Sequence, residues 1–531
     1  MNENQEDGTG RRLLAAVNFL SLAVGIAIGC GGSGSSSPPQ ADFDFSVNPS
    51  GLSVTVGTIS PAVVVDVSEQ NGFADTVNVA INGLPPGSFS KPPVPLAIPS
   101  NGSQRVTFFI PPSAPAGSLS IELEATSGTI SHSATLNVTV TPVSGTAVLQ
   151  ESSGQAPVST IEFQGVTAGN FNPAYWQNNS LNWVPDVREP MFAALTTSPY
   201  QNIYAPWPLE QQTGWRMFYG GWDGSDTPND RVYSVTTSDF LTFNNRTLVI
   251  DHGAFQHVNN VNVQQLPDGS LHMMCTGGTY DGLSWPTYFS SPDGVSWNGS
   301  PEPYQAQLAD IAVIKGYSDY SAGGFNGGNV LFWDNDWVLY FYDNFNNNHI
   351  FRATGASPQT VQFQGLALAT GRDPNAVVKF TIGDTWYLMG LNTPGLTYSL
   401  SKDGVTFSSE QALFNSLSSS DTFIDSVSFV THGDQLLGVL YGANASPPEG
   451  PPIYPNQIYA RWLQKKVVIT DSAGVQYFAQ SSYGPDRQWF QAPASGSLEG
   501  TMVVYAEDSS TPLGSSLVTL TAGKSYTLVL Q

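Results

Sequence analysis

Five short polar segments, each followed at once by an apolar run, contain the residues of this chain that could do chemistry. They are rich in Asn, Asp and Gly, and they span 188–190 or alternatively 202–206, then 256–260, 324–329, 371–375 and 423–426. Carboxylates in these segments, Glu189, Asp373 and Asp425, could donate and accept protons if folding brings them together. Asn, Asp and Gly are also ordinary turn residues, so a single segment indicates no more than a turn.

A repeated layout of apolar runs gives a reason for the five segments to meet. One run per repeat begins at Trp215, Leu271, Trp337, Trp386 and Gln435, so the starts are 56, 66, 49 and 49 residues apart. Five copies at such a period predict a five-bladed β-propeller, because a small sheet must stack on neighbours to bury both of its faces. The innermost strand of each blade starts near the central axis, so the polar segments should converge on one funnel.

A second marker supports the same repeat. Asp-Gly occurs at 293–294 and at 403–404, and in both places an aromatic, Trp297 or Phe407, follows three residues after the Gly. Asp-Gly tolerates the backbone of a tight hairpin, and we expect the aromatic to pack between blades. The run from Trp337 belongs to a blade that lacks this marker.

Composition and turn spacing predict an all-β chain of several domains. Of 531 residues, 40% are hydrophobic and only 11% charged, with 52 Gly and 38 Pro, which is typical of strands joined by many turns. We expect an immunoglobulin-like β-sandwich at 41–142, a linker at 143–182 that contains one strand at 160–166, the propeller at 183–465 and a small β domain at 466–531. Alternatively, the C-terminal region lends one strand to complete the propeller.

The charge balance argues against a nucleic-acid partner. Eighteen Lys and Arg against forty-two Asp and Glu give a net charge of −24, which repels phosphate, and no basic patch with interleaved aromatics is present. The two cysteines, Cys30 and Cys275, are too few for a disulfide scaffold or a cysteine metal site. Motifs of serine hydrolases, zinc proteases and P-loop proteins are missing as well.

The N-terminus has the features of an export signal. Arg11 and Arg12 precede an apolar run at 13–28 that is shorter than a usual membrane span. The end of this signal, residues 1–29, followed by Cys30, resembles the lipobox of bacterial lipoproteins, although Ala27 stands where Leu is usual. The resemblance implies a lipidated Cys30, a flexible tether at 30–40, and a cell-envelope protein facing the periplasm or exterior whose only membrane contact is its lipid. An uncleaved anchor and a plain secretory signal are the alternatives.

The propeller region resembles a known family of enzymes. The phrase WRMFYGGW at 215–222, the phrase DGVSW at 293–297, and Arg372-Asp373-Pro374 are similar to those of five-bladed-propeller glycoside hydrolases, which include arabinanases, β-xylosidases, invertases and levansucrases. The resemblance implies a carbohydrate ligand in the funnel, and it implies that Asp373 contacts sugar hydroxyls with Arg372 beside it. The chain departs from the family's three carboxylates, because Asn260 and Asn329 open the second and third blades.

These observations lead to a specific hypothesis for the site. Hydrolysis of a glycosidic bond needs an acid and an opposed base or nucleophile, and we predict Asp373 and Asp425 as this pair, with Glu189 as a candidate acid. The alternative is that Asp425 and Glu189 cap turns or form ion pairs with Arg188 and Arg372. A protein that binds glycans without cleaving them, and a structural envelope protein without a ligand, are the competing functions.

Further side chains are candidates for holding the sugar. Trp222, His257 and Tyr204 could stack on a sugar ring, while Asn260 and Asn329 could bond its hydroxyls; packing in the core is the alternative for each aromatic. Relatives often hold calcium or a water cluster in the axial channel, so the resemblance leaves a Ca²⁺ ion near His257 open. One histidine is too little to predict a metal, and no other cofactor is expected.

Overall fold

A computed structural model shows a chain built almost entirely of β-strands, which confirms the predicted all-β class. It describes residues 39–155, 160–164, 176, 181–195, 202–223, 229–345, 349–392, 395–414, 421–444, 456–491 and 496–531. The predicted signal and Cys30 lie outside these ranges. 3₁₀ turns occur at Leu308–Asp310 and Tyr320–Ala322, and within the described ranges no helix is long and apolar enough to cross a membrane.

The first domain is a sandwich of two five-stranded sheets. One sheet has the order β1-β4-β8-β3 with β6 beside β8, and the other has the order β2-β10-β9-β5-β7. Alternate residues of each strand point inward, as in Gly117–Ser127, and fill the space between the sheets. The strands are β1 (Asp42–Asn48), β2 (Gly51–Thr55), β3 (Thr58–Ile59), β4 (Val63–Gln70), β5 (Val77–Asn82), β6 (Phe89–Lys91), β7 (Leu96–Ile98), β8 (Ser103–Ile110), β9 (Gly117–Ser127) and β10 (Ile130–Thr141).

The predicted linker at 143–182 contains one strand more than expected. It contains two strands, β11 (Ala147–Gln155) and β12 (Thr160–Gln164), which pair with strands near the C-terminus. Strand β11 pairs with a strand far along the chain, so no hairpin turn adjoins it in the sequence. Its polar flanking residues therefore resemble those of a linker.

The central region forms five sheets, numbered here in chain order. The strand β13 (Trp183–Pro185) comes first and belongs to sheet 5. Sheet 1 contains β14 (Asn202–Gln211), β15 (Gly214–Trp222), β16 (Arg231–Thr237) and β17 (Asn244–Asp251). Sheet 2 contains β18 (His257–Gln265), β19 (Leu271–Gly278) and β20 (Ser284–Ser291); the hairpin β21 (Ser296–Trp297) and β22 (Ser300–Pro301) follows, and β23 (Tyr304–Gln305) pairs with β17.

The other three sheets repeat the same antiparallel plan. Sheet 3 contains β25 (Asn329–Trp333), β26 (Trp337–Asp343), β27 (His349–Ser357) and β28 (Thr360–Leu368) as its first to fourth strands, and β24 (Val313–Lys315) pairs in parallel with β28 at the outer edge. Sheet 4 contains β29 (Asp373–Ile382), β30 (Asp384–Asn392), β31 (Thr397–Ser401) and β32 (Gln411–Ala412). Sheet 5 contains β33 (Phe423–His432), β34 (Gln435–Asn444) and β35 (Gln457–Leu463), with β13 at its outer edge.

The first strands of the five sheets contact one another in cyclic order. Side chains join them across the sheet boundaries: Asn259 bonds Tyr204, Asn329 bonds Thr276, Asn375 accepts from Val427 N, and Ser426 accepts from Ala205 N. Between sheets 3 and 4, Gly328 lies directly against the carbonyl of Pro374, where no side chain would fit. The first strand of sheet 1 is Asn202–Gln211, which confirms the more evenly spaced of the two predicted starts.

The outermost strand of sheet 5 comes from upstream of sheet 1. Trp183 pairs with Leu463, and Asp186, just beyond β13, accepts hydrogen bonds from the Arg188 side chain and the Trp462 indole. The strand expected as an alternative from the C-terminal region is therefore supplied by β13 instead. Three residues are too few for an alternating pattern, so this strand gave no sequence signal.

The C-terminal region forms two sheets, β37-β36-β40-β41 and β11-β42-β12-β39-β38. It packs against the first domain, where the Thr470 hydroxyl donates to the carbonyl of Gly57. Its strands are β36 (Lys466–Thr470), β37 (Gln476–Phe478), β38 (Ser481–Ser482), β39 (Gln488–Gln491), β40 (Ser497–Tyr505), β41 (Pro512–Thr521) and β42 (Lys524–Leu530).

Candidate active site

β-bulges at the start of the inner strands turn polar side chains toward the centre. The pairing register shifts between Asn259 and Asn262 in β18, between Pro374 and Ala376 in β29, and at Asp425 in β33; β14 has a similar shift after Tyr204. A bulge leaves one residue out of the ladder and re-aims its side chain. Asn260, Asn375 and Asp425 are among the residues left out, and all three line the same cavity.

This central cavity has a volume of about 460 Å³, within the range of small-molecule binding sites. Every sheet, or the loop leading into it, contributes to its wall. The lining residues are Tyr204, Asp230, Gln256, His257, Asn259, Asn260, Asn326, Gly327, Asp373, Asn375, Asn392 and Asp425. The wall therefore consists mainly of amides and carboxylates.

Three aspartates from three different sheets meet in the cavity: Asp230, Asp373 and Asp425. Sequence reasoning predicted the last two and missed Asp230, which lies in the loop before β16 and not in a polar segment before an inner strand. A signal for it existed, because in an antiparallel sheet the loop between the second and third strands lies at the same end as the start of the first. Asp230 immediately precedes β16 at that end.

The three carboxyls have raised pKa values, and burial is the main cause for each. Burial and then the charge of Asp425 raise the pKa of Asp373 to about 7. Burial and then the charge of Asp230 raise the pKa of Asp425 to about 6. Burial also raises the pKa of Asp230 to about 6, while hydrogen bonds from Tyr204 and Asn259 oppose that rise. The charge of Asp230 opposes ionisation of Asp425, and the charge of Asp425 opposes ionisation of Asp373, so Asp373 ionises last.

Tyr204 and Asn259 hold Asp230 in place. The Tyr204 hydroxyl donates to Asp230 Oδ2 at 2.9 Å, and Asn259 Nδ2 donates to the Tyr204 oxygen at 2.5 Å. Burial keeps the pKa of Tyr204 well above its usual value, so the phenol stays neutral and remains a donor. Donation to a carboxylate favours its charged form. Tyr204, predicted to stack on a sugar, thus lines the cavity with its hydroxyl committed to Asp230.

A glycine brings the backbone close to Asp373. Gly327 has φ 126°, and a Cβ at this position would lie 2.9 Å from Asp373 Oδ2. The Gly327 carbonyl accepts hydrogen bonds from Asn260 Nδ2 and from Thr276 Oγ1, both at 2.8 Å. Only glycine combines this backbone conformation with so close an approach, and the two bonds fix the segment against the carboxyl.

Asn260 and His257 line the cavity with the two predicted aspartates. Burial lowers the pKa of His257, so it is neutral at pH 7, and its Nε2 has no hydrogen-bond partner within the described residues. His257 lines the cavity, and its contact with a ligand stays a prediction.

Four predicted site residues lie elsewhere. Glu189 follows the edge strand β13 and lines a separate surface cavity with Trp183 and Lys466, because the outer strand of a sheet is far from the axis. Arg372, just before β29, forms an ion pair with Glu410 at 2.5 Å and is not among the residues that line the central cavity with Asp373.

The other two are buried. Asn329 opens β25, which has no bulge, and its Nδ2 donates to Thr276 Oγ1 and to the Phe325 carbonyl. Trp222 ends β15, the second strand of sheet 1, and packs in the interior with 6% of its surface exposed. Neither side chain lines the central cavity.

A much smaller chamber lies among the inner strands and bears on the calcium expectation. It has about 10 Å³ of space, enough for one water molecule, and both amide atoms of Asn262 at its wall have no partner within the described residues. The described residues of its wall include no carboxylate, whereas Ca²⁺ takes six to eight oxygen ligands with carboxylates among them. No cluster of three or more His, Cys, Asp or Glu that could hold a metal occurs in the described ranges, and His257 does not line this chamber, so a Ca²⁺ ion near His257 stays a prediction.

The first strands of five sheets thus surround a central cavity that contains three carboxyl groups. No protein-family model matches the chain, and no curated protein is significantly similar to it. Among solved structures its neighbours include glycoside hydrolases of families 43 and 62, which are five-bladed β-propellers.

Three of the solved structures that are similar to this chain show how low the similarity is. The catalytic domain of a family 62 α-L-arabinofuranosidase from Coprinopsis cinerea is 11% identical, with 54% of this chain and 97% of that chain covered and a TM-score of 0.39. An endo-1,4-β-xylanase from Bacteroides thetaiotaomicron is 13% identical, with 55% and 98% covered and a TM-score of 0.34. A protein of unknown function from Dyadobacter fermentans is 13% identical, with 65% and 99% covered and a TM-score of 0.35. Any chemistry has to be inferred from the cavity itself.

Proposed function

We propose that the protein hydrolyses glycosidic bonds of a neutral poly- or oligosaccharide bound in the central cavity. One observation supports this proposal above all others: Asp230, Asp373 and Asp425, from three sheets, share one cavity with pKa values of about 6 to 7. At neutral pH such a cluster contains both a protonated and an ionised carboxyl. These are the two forms that glycosidic hydrolysis requires.

The composition of the wall favours a neutral sugar as the ligand. Amides and carboxylates match the many hydroxyl groups of a sugar, since they supply both donors and acceptors. The lining residues include no Lys or Arg, and His257 is neutral at pH 7. An anionic ligand would therefore face carboxylates without a compensating positive charge.

The order of ionisation assigns the roles. Asp373, the last to ionise, donates the proton to the leaving oxygen as the glycosidic bond breaks. Asp230, held as a carboxylate by Tyr204, is the base or nucleophile on the other side of that bond. The charge of Asp230 raises the pKa of Asp425. The charge of Asp425 in turn raises the pKa of Asp373 and so keeps Asp373 protonated. Tyr204 and Asn259 are positioning residues that act through Asp230.

We also propose that the enzyme works outside the cytoplasm on a lipid anchor. The apolar run at 13–28 and the following Cys30 support export and lipidation, and a polymeric substrate is met outside the cell. Metabolic labelling with a radioactive fatty acid tests the anchor, because the wild type should carry the label and Cys30→Ser should not.

The function is tested by following the release of reducing ends from a panel of soluble neutral polysaccharides, such as arabinan, xylan, galactan and mannan. We expect the wild type to release them from at least one polymer near pH 6.5, and Asp373→Asn to release far fewer. Retention of a polysaccharide in affinity gels without any release would instead select a glycan-binding protein. Neither binding nor release on a broad panel would contradict a carbohydrate function altogether.

A further inference from the structure

Exposed aromatic rings are concentrated at the rim of the central cavity. Four aromatic side chains are exposed in the described part of the chain: Tyr280 by 71%, Phe345 by 61%, Phe478 by 50% and Phe423 by 38%. A single exposed ring is normal on a protein surface. Three of these four, however, stand at the end of the sheets where the cavity opens.

The positions follow from the strand pairing. Tyr280 comes two residues after Gly278, which pairs with His257 of the cavity wall. Phe423 opens β33 two residues before Asp425. Phe345 comes two residues after Asp343, the end of β26. Phe478, by contrast, ends β37 in the C-terminal region.

Tyr280 and Phe345 flank one segment that leads into the cavity. Ser284 N, at the end of the Tyr280 loop, donates to the carbonyl of Gly323, and Asn344 N donates to the carbonyl of Gly324. The chain then continues through Asn326 and Gly327, which line the cavity. The two rings therefore stand on either side of a path to the carboxyls.

Hydrogen bonds fix the turns that present these two rings. In the Tyr280 loop, Thr279 N donates to the Leu283 carbonyl at 2.8 Å and Gly282 N donates to the Thr279 carbonyl at 3.0 Å. Phe345 N donates to Asp343 Oδ1 at 2.9 Å, and the buried Asp343 also accepts from a tyrosine hydroxyl at 2.6 Å. A ring on a fixed turn loses little freedom when a ligand covers it.

The third ring lies on the opposite side of the cavity. Tyr280 belongs to sheet 2, Phe345 to sheet 3 and Phe423 to sheet 5. In a cyclic order of five, the junction of sheets 2 and 3 is opposite sheet 5. The rings therefore belong to opposite sides of the ring of sheets, and the faces of Tyr, Phe and Trp cover the apolar C–H surface of a sugar well.

We infer that an extended sugar chain lies across the cavity, with units on Phe423 at one side and on Tyr280 and Phe345 at the other, and that it is cut internally. This inference rests on the proposed function. A chain held on both sides of the reacting bond is cleaved away from its ends, whereas an enzyme acting on chain ends needs platforms on one side only.

The test compares Tyr280→Ala, Phe345→Ala and Phe423→Ala with the matched control Phe478→Ala. On a polysaccharide that the wild type cleaves, we expect each rim variant to raise KM about 3- to 10-fold with kcat nearly unchanged, since one aromatic contact contributes about 0.5–1.5 kcal/mol. Phe478→Ala should match the wild type. Hydrolysis of an aryl glycoside with a single sugar should be unchanged in all four variants.

Product size and binding distinguish this inference from the proposed function. Internal cleavage lowers the viscosity of the polymer early, while few reducing ends have formed; release from chain ends only, or rim variants that behave like Phe478→Ala, would overturn the inference and leave hydrolysis intact. If the wild type cleaves nothing, affinity gels with the same polysaccharides decide. Weaker retention of the rim variants than of Phe478→Ala would support the platforms, and no retention of the wild type would overturn them.

Discussion

Asp373→Asn is expected to lower kcat on a cleaved polysaccharide by about 10²–10⁴-fold, because an amide cannot donate the proton that the leaving oxygen needs. Asp230→Asn should have an effect of the same order, since it removes the carboxylate that Tyr204 holds in its charged form. The measurement is the initial rate of reducing-end formation at saturating substrate for each purified variant.

The matched control is Asp268→Asn, which changes an exposed aspartate in a turn of sheet 2. It should leave kcat unchanged. Circular dichroism and thermal unfolding should show that both cavity variants keep the fold, because an uncharged amide replaces a carboxyl whose charged form is disfavoured by burial. Activity within a factor of two of wild type in a folded Asp373→Asn would remove this residue from the mechanism.

Asp186→Ala should destabilise the protein by about 3–5 kcal/mol, the usual cost of removing one partner from a buried ion pair. Asp186 is only 2% exposed. Its carboxylate accepts bonds from Arg188 Nε and Nη2, both at 2.8 Å, from the Trp462 indole at 2.9 Å and from Gly484 N at 3.1 Å. One side chain thus joins the end of β13, strand β35 and the C-terminal region.

Equilibrium unfolding in urea measures this loss as a lower free energy of unfolding. Asp384→Ala is the control, since its ion pair with Lys402 is largely exposed, and such pairs contribute at most about 1 kcal/mol. If the two variants lost the same free energy, the Asp186 network would not secure the edge of sheet 5.

The sequence predicts the sheets well because most strands of each sheet follow one another along the chain. The second strand of every sheet begins with an apolar run, and tight turns such as 293–294 separate the strands. The polar segments before β18, β29 and β33 reach the cavity because the start of each first strand lies at the centre. Asp373 and Asp425 could be predicted for this reason.

What the sequence does not indicate depends on distant partners and on side-chain direction. Strand β11 has its partner near the C-terminus, and β13 is only three residues long. Arg372 and Asp373 are neighbours, yet one pairs with Glu410 and the other faces the cavity. Glu189 has the carboxyl that the hypothesis requires, but it follows an edge strand and lines a separate cavity. The third carboxyl of the central cavity belongs to Asp230.

The pH dependence of kcat/KM tests most directly the claim that Asp373 acts as a protonated acid while Asp230 is ionised. Asp230 must be ionised, so the rate should fall as pH drops below about 6, and Asp373 must be protonated, so the rate should fall as pH rises above about 7. In Asp425→Asn, the charge that raises the pKa of Asp373 is gone, and the falling limb should move to lower pH while the rising limb stays. A rate independent of pH between 5 and 8, or a falling limb that Asp425→Asn leaves in place, would contradict this mechanism.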